Sequence, residues 1–134
     1  APLKKACAES GLALIPLLAP TSNEKRVAAA CQGARGFVYC ISVTGVTGAR
    51  DELSSDIDEL VSTVRRHTDL AVAVGFGVST RSHVEGLSYT ADAVVIGSAF
   101  IRAIDQRHQE QAIPTIRGML EDFTGISTHL SREG

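Results

Sequence analysis

A strict alternation constrains this chain more than any other feature. Four short runs, residues 12–18, 37–42, 70–74 and 93–96, are nearly continuous in apolar side chains. A strand with one wet face alternates apolar and polar residues, whereas a strand buried on both faces does not. Helical patterns fill the stretches between the runs. Strands separated in this way are joined by right-handed βαβ crossovers, and that implies a parallel sheet. Read along the chain, the order is α-β-α-β-α-β-α-β-α-α.

The helices announce themselves by caps and faces. Residues 2–10 read as a helix ended by Gly11. Thr21 and Glu24 stand at capping-box spacing and open a second, with Gly33 as its stop. Ser55-Asp56-Ile57-Asp58 opens a third, whose Ile57, Leu60, Val61 and Val64 fall on one face. Ser79 or Thr80 caps a fourth that ends near Ser88. Residues 99–107 and 114–123 read as two more, the last with Ile116, Met119, Leu120 and Phe123 on one side. The βα unit recurs at about 23 to 33 residues, the repeat of a parallel α/β fold and not of a solenoid. No linker or low-complexity tract interrupts residues 1–134, which read as a single segment. Four strands do not close an eight-stranded barrel, which takes about 250 residues. Periodicity leaves two architectures open: a small doubly wound sheet or half of a barrel.

Composition removes other classes. With 13 Lys+Arg against 15 Asp+Glu, the chain lacks the basic excess of a nucleic-acid binder. Lys4-Lys5 and Arg65-Arg66 are short enough to be solvated helix faces. At 44% hydrophobic residues the chain is not a disordered segment. No run approaches the roughly 20 apolar residues of a membrane span. No signal peptide is expected, because residues 12–19 lie between a polar helix and a loop. Cys7, Cys31 and Cys40 are odd in number and lack CxxC spacing, so free thiols and a reducing compartment are expected. His67, His83, His108 and His129 show no ligand spacing, and no metal is expected. The chain starts at Ala1 and its one methionine is Met119, which fits either a processed start or a piece of a longer protein.

In parallel α/β folds, ligands bind at the carboxyl ends of the strands. Three of the runs end there in glycine-rich turns: Ser42-Val43-Thr44-Gly45-Val46-Thr47-Gly48, Gly75-Phe76-Gly77 and Gly97-Ser98-Ala99. Glycine lets a ligand approach backbone N–H groups, and a helix N-terminus adds a favourable dipole for an anion. In barrels the phosphate site is often built from the loops after the last two strands. Gly77, Gly97 and Ser98 have that relation if the fourth run is the final strand, although the same glycines would also serve plain tight turns. The stretch after Ser42 is long for a βα connection and reads as a lid, with Gly45 and Gly48 as hinges and Thr47 as a polar contact. A plain solvent loop is its other reading. Tyr39 stands mid-strand, where an inward ring is buried and its hydroxyl needs a partner or a ligand, although a strand tyrosine more often serves the core than catalysis. Phe76 stands at a strand end, where it can line an apolar pocket. No pair of carboxylates stands at the strand ends. Asp51, Asp56, Asp58 and Glu59 are explained by capping and solvation, and Asp92 precedes its strand, at the wrong end for chemistry.

These residues resemble a known family. Phe37-Val38-Tyr39-Cys40-Ile41-Ser42 followed by Val43-Thr44-Gly45-Val46-Thr47-Gly48-Ala49 is similar to the tryptophan synthase alpha chain. Gly75-Phe76-Gly77 and Ile96-Gly97-Ser98-Ala99 match it in order and spacing, as does 13–21, Ala-Leu-Ile-Pro-Leu-Leu-Ala-Pro-Thr. The phosphate turns are shared by many barrels; the tyrosine strand leading into SxTGVTG is far more specific. The resemblance covers essentially the whole chain. It implies the C-terminal half of a (β/α)8 TIM barrel, strands five to eight, with four parallel strands alternating with helices. It implies a lyase that cleaves indole-3-glycerol phosphate by a retro-aldol reaction to indole and glyceraldehyde 3-phosphate. The alpha chain needs no cofactor. Its indole passes to a pyridoxal-phosphate beta chain in an α2β2 complex, in the cytoplasm or the plastid stroma.

Carried over by position, the resemblance makes Gly48, Gly77, Gly97 and Ser98 holders of the substrate phosphate. Phe76 lies against the ligand and Tyr39 near the indole. Thr47 bonds a catalytic aspartate when the loop closes. Many family members carry arginine where this chain has Val43, so loop anchoring is expected to differ. The family's glutamate and aspartate lie in its N-terminal half, and the chemistry needs a base for the indole N–H and an acid for the ring carbon. The 134-residue chain is therefore expected to be inactive alone, and, with two open sheet edges, to dimerise or aggregate. Three other readings compete: a free-standing indole-3-glycerol-phosphate lyase, a non-catalytic phosphate-ester-binding half-barrel or assembly module, and another phosphosugar barrel, which the GVTG lid disfavours.

Overall fold

The computed structural model describes residues 2–42, 52–75, 77–78, 80–105 and 109–125. Ten elements follow the expected order: α1 (Pro2–Glu9), β1 (Leu17–Leu18), α2 (Glu24–Cys31), β2 (Phe37–Ile41), α3 (Glu52–His67), β3 (Ala71–Gly75), α4 (Arg81–Leu87), β4 (Ala93–Val95), α5 (Ser98–Asp105) and α6 (Gln109–Thr124). The strands form one sheet in the order β1-β2-β3-β4, and every pair is parallel.

That order decides between the two architectures. A doubly wound sheet reverses its strand order and so places helices on both faces. Here each strand is laid beside the last in one direction. Right-handed crossovers then put the connecting helices on a single face, as in a barrel. The chain is four parallel strands of a half-barrel, with a helix-covered outer face and an open inner face.

Register sets the faces. Leu18, Cys40 and Val74 are cross-strand partners, as are Val38 and Val72, and all five are buried. They meet Val27 and Cys31 of α2 and Ile57, Leu60, Val61 and Val64 of α3 in one core cluster. The four α3 residues are the face predicted from their spacing. On the opposite face stand Leu17, Tyr39, Ala73 and Ala93, successive partners across the sheet.

Several boundaries differ from expectation. The first strand is two residues long; in place of further pairing along 12–16, only the Pro16 carbonyl accepts from Tyr39 N–H, at 2.9 Å. Asn23, not Thr21, caps α2: its Oδ1 accepts from Arg26 N–H at 2.9 Å. Position 23 is the extended residue directly before the helix, so its side-chain oxygen is within reach of the first-turn N–H groups. Gly33 does follow the end of α2, at φ +72°. Helix α3 starts at Glu52, ahead of the expected Ser55. Thr80 caps α4, accepting from His83 N–H at 3.3 Å; Ser79, the other candidate, lies outside the described residues. Helix α6 begins at Gln109 and carries Pro114 inside it. Pro114 is the sixth residue of the helix, where it removes one backbone bond, and the helix runs through it.

Ion pairs tie the layers at their rims. Asp92 precedes β4 and accepts from Val72 N–H at 2.8 Å and from Arg65 Nη2 at 3.1 Å. Arg65 also donates to the Thr90 carbonyl, and Thr90 donates to Asp58. Glu24 of α2 reaches Arg66 and His67 at the end of α3. Phe100 and Phe123 pack edge to face at 5.9 Å between α5 and α6.

Candidate active site at the carboxyl ends of the strands

The register pairs Gly75 with Val95, the last residues of β3 and β4. Gly77 and Gly97 each stand two residues beyond that pair. The two turns therefore leave the sheet side by side at the same level. Gly77 has φ +75°, a conformation that a side chain would strain. A Cβ built on Gly97 meets nothing within 4 Å, so space in front of that backbone is open to a ligand. Ser98 is exposed and is the first residue of α5, whose opening N–H groups and dipole favour an anion. Gly97 has already committed its carbonyl to Ile101 N–H, at 3.2 Å, which orients the turn.

Tyr39 lies on the inner face, half-buried. It leans along the sheet so that its hydroxyl reaches Gly75. A Cβ on Gly75 would collide with that hydroxyl, come within 2.9 Å of the ring carbon bearing it, and within 2.8 Å of Val95 Cβ. Gly75 is thus a cleared strand position that lets the tyrosine cross to the mouth. The Gly75 carbonyl is held by Ser42, buried directly after β2. Ser42 N–H and Oγ both donate to the Gly75 carbonyl, at 2.8 and 3.1 Å. Sequence reasoning assigned the GFG motif to an anion turn and missed this role of its first glycine. The signal was present: a bulky aromatic on one strand and a glycine on the next, two residues beyond its cross-strand partner, Ala73.

Of the site residues expected from sequence, the structure thus places Gly77, Gly97 and Ser98 at one end of adjacent strands, with the hydroxyl of mid-strand Tyr39 reaching Gly75 at that end. Thr47, Gly48 and Phe76 lie outside the described residues, as do Val43, Gly45 and the rest of the expected lid. The described residues that directly follow the strands are Ala19, Pro20, Ser42, Gly77, Val78, Ile96, Gly97 and Ser98, and none carries a carboxylate. Asp92 is at the opposite end. The Val72 N–H, and more weakly Arg65, hold its carboxyl below the usual range, a structural role. Among the described residues no group of side chains has the makings of a metal site. The buried Cys40 thiol is pushed up to about 11 by burial and by Cys31, so it is no nucleophile.

A one-directional parallel sheet with glycine turns at its carboxyl end defines the chain as part of a (β/α) barrel. The family model for the tryptophan synthase alpha chain matches residues 1–124, and the chain belongs to that family. It is 48% identical over 108 residues to the tryptophan synthase alpha chain of Halalkalibacterium halodurans, covering 81% of this chain and 40% of that one. For the alpha chain of Roseiflexus castenholzii the identity is 47% over 103 residues, with 77% and 40% covered. Among solved structures, a chain of the Pyrococcus furiosus tryptophan synthase α2β2 complex superposes with a TM-score of 0.78 at 35% identity, covering 91% of this chain and 49% of that one. The alpha subunit from Campylobacter jejuni gives 0.78 at 27% identity, with 87% and 47% covered. The chain spans about two fifths of the length of these curated relatives.

Proposed function

We propose that β1–β4 are the fifth to eighth strands of a tryptophan synthase alpha barrel, and that this half holds the phosphate and the indole of indole-3-glycerol phosphate during its retro-aldol cleavage to indole and glyceraldehyde 3-phosphate. The observation that carries the reading is the side-by-side departure of the Gly77 and Gly97-Ser98 turns from the paired ends of β3 and β4. The phosphate lies on the backbone N–H groups of those turns and of Gly48, with the α5 dipole behind them and the Ser98 hydroxyl as a further donor. Tyr39 and Phe76 wall the indole. Thr47 and Gly48 belong to the lid, which excludes water while the bond between the ring carbon and the glycerol chain breaks.

The cleavage needs a base, which takes the indole N–H proton and returns it as the bond breaks, and an acid, which protonates the ring carbon and then takes the hydroxyl proton of the carbon that becomes the aldehyde. The described strand ends offer neither, so both come from the other half of the barrel. The chain uses no cofactor of its own, and the indole goes to a pyridoxal-phosphate beta chain docked on the complete barrel. Calorimetric titration with indole-3-glycerol phosphate tests the site. The 134-residue chain is expected to bind the ester and to release no indole. Gly97→Asp sets a carboxylate against the phosphate, and affinity is expected to fall by about tenfold or more through like-charge repulsion. Undiminished affinity in that variant removes the phosphate assignment, and steady indole release by the chain alone removes the placement of the acid and base. Weak binding of any phosphate ester, without preference for the indole compound, favours the simpler phosphate-binding half-barrel.

A further inference from the structure

Among the described residues Ser42 is the one buried polar side chain, at 7% exposure. A buried hydroxyl needs a hydrogen-bond partner. Ser42 takes the Gly75 carbonyl twice, with its N–H at 2.8 Å and its Oγ at 3.1 Å. The N–H bond continues the parallel ladder that pairs β2 with β3. The Oγ bond is an addition that the ladder does not require. A carbonyl oxygen has two lone pairs, and these two donors fill both.

Saturation of that carbonyl bears on the side chain lying over Gly75. The Tyr39 hydroxyl stands so close to this residue that no Cβ fits between them. It makes no hydrogen bond to any described residue. A phenol has one proton to donate, and a vacant lone pair on a buried carbonyl beside it would take that proton. Ser42 removes the vacancy. We propose that Ser42 is a positioning residue for the ligand: by filling the Gly75 carbonyl it keeps the Tyr39 hydroxyl uncommitted, as a donor to the polar stretch of the ligand between its phosphate and its ring. This role rests on the phosphate assignment, because the Gly77 turn, two residues beyond Gly75, fixes where that stretch lies. Ser42 itself acts only through the acceptor it occupies.

A double-mutant cycle separates this role from a purely structural one. The chain is titrated calorimetrically with indole-3-glycerol phosphate and with inorganic phosphate, beside Ser42→Ala, Tyr39→Phe, their double variant and Ser42→Thr. Circular dichroism verifies that each keeps its fold. Ser42→Ala vacates a lone pair and Tyr39 turns its proton to it, so affinity for the ester is expected to fall about fivefold, the worth of one neutral hydrogen bond. Tyr39→Phe is expected to fall by the same factor. The double variant is no weaker than either single one, because both remove the same donor. Inorganic phosphate, which lacks the polar stretch, keeps its affinity throughout, and Ser42→Thr, which retains the hydroxyl, keeps both ligands. Losses that multiply in the double variant overturn the proposal. So does a Ser42→Ala loss shared by inorganic phosphate, or no loss at all. A chain that binds neither ligand fails the phosphate assignment instead, and the hydroxyl is then read directly. Tyr39 and Tyr89 are the two tyrosines, so isotopic labelling of the tyrosine Cζ carbons gives two magnetic-resonance lines. The Tyr39 line is expected to move in Ser42→Ala and to stay in place in Ser42→Thr, with the 97% exposed Tyr89 as a fixed reference. An unmoved Tyr39 line overturns the proposal whatever the ligands do.

Discussion

Gly75 and Tyr39 form the tightest steric pair at the site. The Tyr39 ring crosses a strand position that tolerates no Cβ. Gly75→Ala is expected to cost about 1–3 kcal/mol, the usual range for overpacking, as read by urea denaturation. Tyr39→Phe in the same background is expected to recover only part of the loss. The hydroxyl is gone, but the ring carbon and Val95 Cβ still crowd the new methyl. Full recovery would place the clash at the hydroxyl alone. Asp92 gives a second test at this scale. Its folded carboxyl titrates below its unfolded value, chiefly because Val72 N–H donates to the charged form. Its contribution is therefore complete above the unfolded carboxylate value, about pH 4, and is lost as pH falls through the lower folded value. Asp92→Asn should flatten that acid limb in urea midpoints taken across the acid range. An unchanged acid limb would count against the bond to Val72. Tyr39 was legible in the sequence as a mid-strand aromatic, and only the family resemblance set it near a site. The need for Gly75 was not, because it arises between two strands whose register only the folded sheet supplies.

At the level of elements, every helix and strand was visible beforehand as a pattern, and their ends were the weak point. The i, i+3, i+4, i+7 face of α3 is buried as its spacing implied, since one dry stripe against a sheet is what that period is for. Caps depend on geometry that spacing only approximates. Thr21 and Glu24 have the capping-box interval, yet the backbone makes Asn23 the last extended residue before α2. Asn23→Ala is expected to lower stability by about 1 kcal/mol, whereas Thr21→Ala should leave the thermal midpoint unchanged. Equal losses would return the cap to Thr21. The start of α6 shows the same limit in another form. Pro114 reads as a first-turn residue, but packing of the helix on α5, with Phe123 against Phe100, sustains a longer helix through it.

For the whole molecule, the sequence pattern left a doubly wound sheet and a half-barrel equally open, and the strand order separated them. Alternation of strand and helix is common to both; direction of travel across the sheet is not written in any one segment. The catalytic reading was legible only in part: the sequence offers glycine turns suited to an anion, and no described residue that directly follows a strand carries a carboxylate.

The sequential strand order has a consequence for how the chain is made. Among the described residues each strand pairs only with strands adjacent in the chain, at partners roughly 20 to 35 residues apart, so none of these three pairings waits on a distant segment. During synthesis, each βα unit can dock on the one just finished as it leaves the ribosome. Growth of this kind extends a sheet indefinitely in one direction and lengthens neither the search nor the loop to be closed. A protein that grows by docking whole units can also be extended, divided or duplicated at unit boundaries, with each junction repeating a contact the chain already knows how to make.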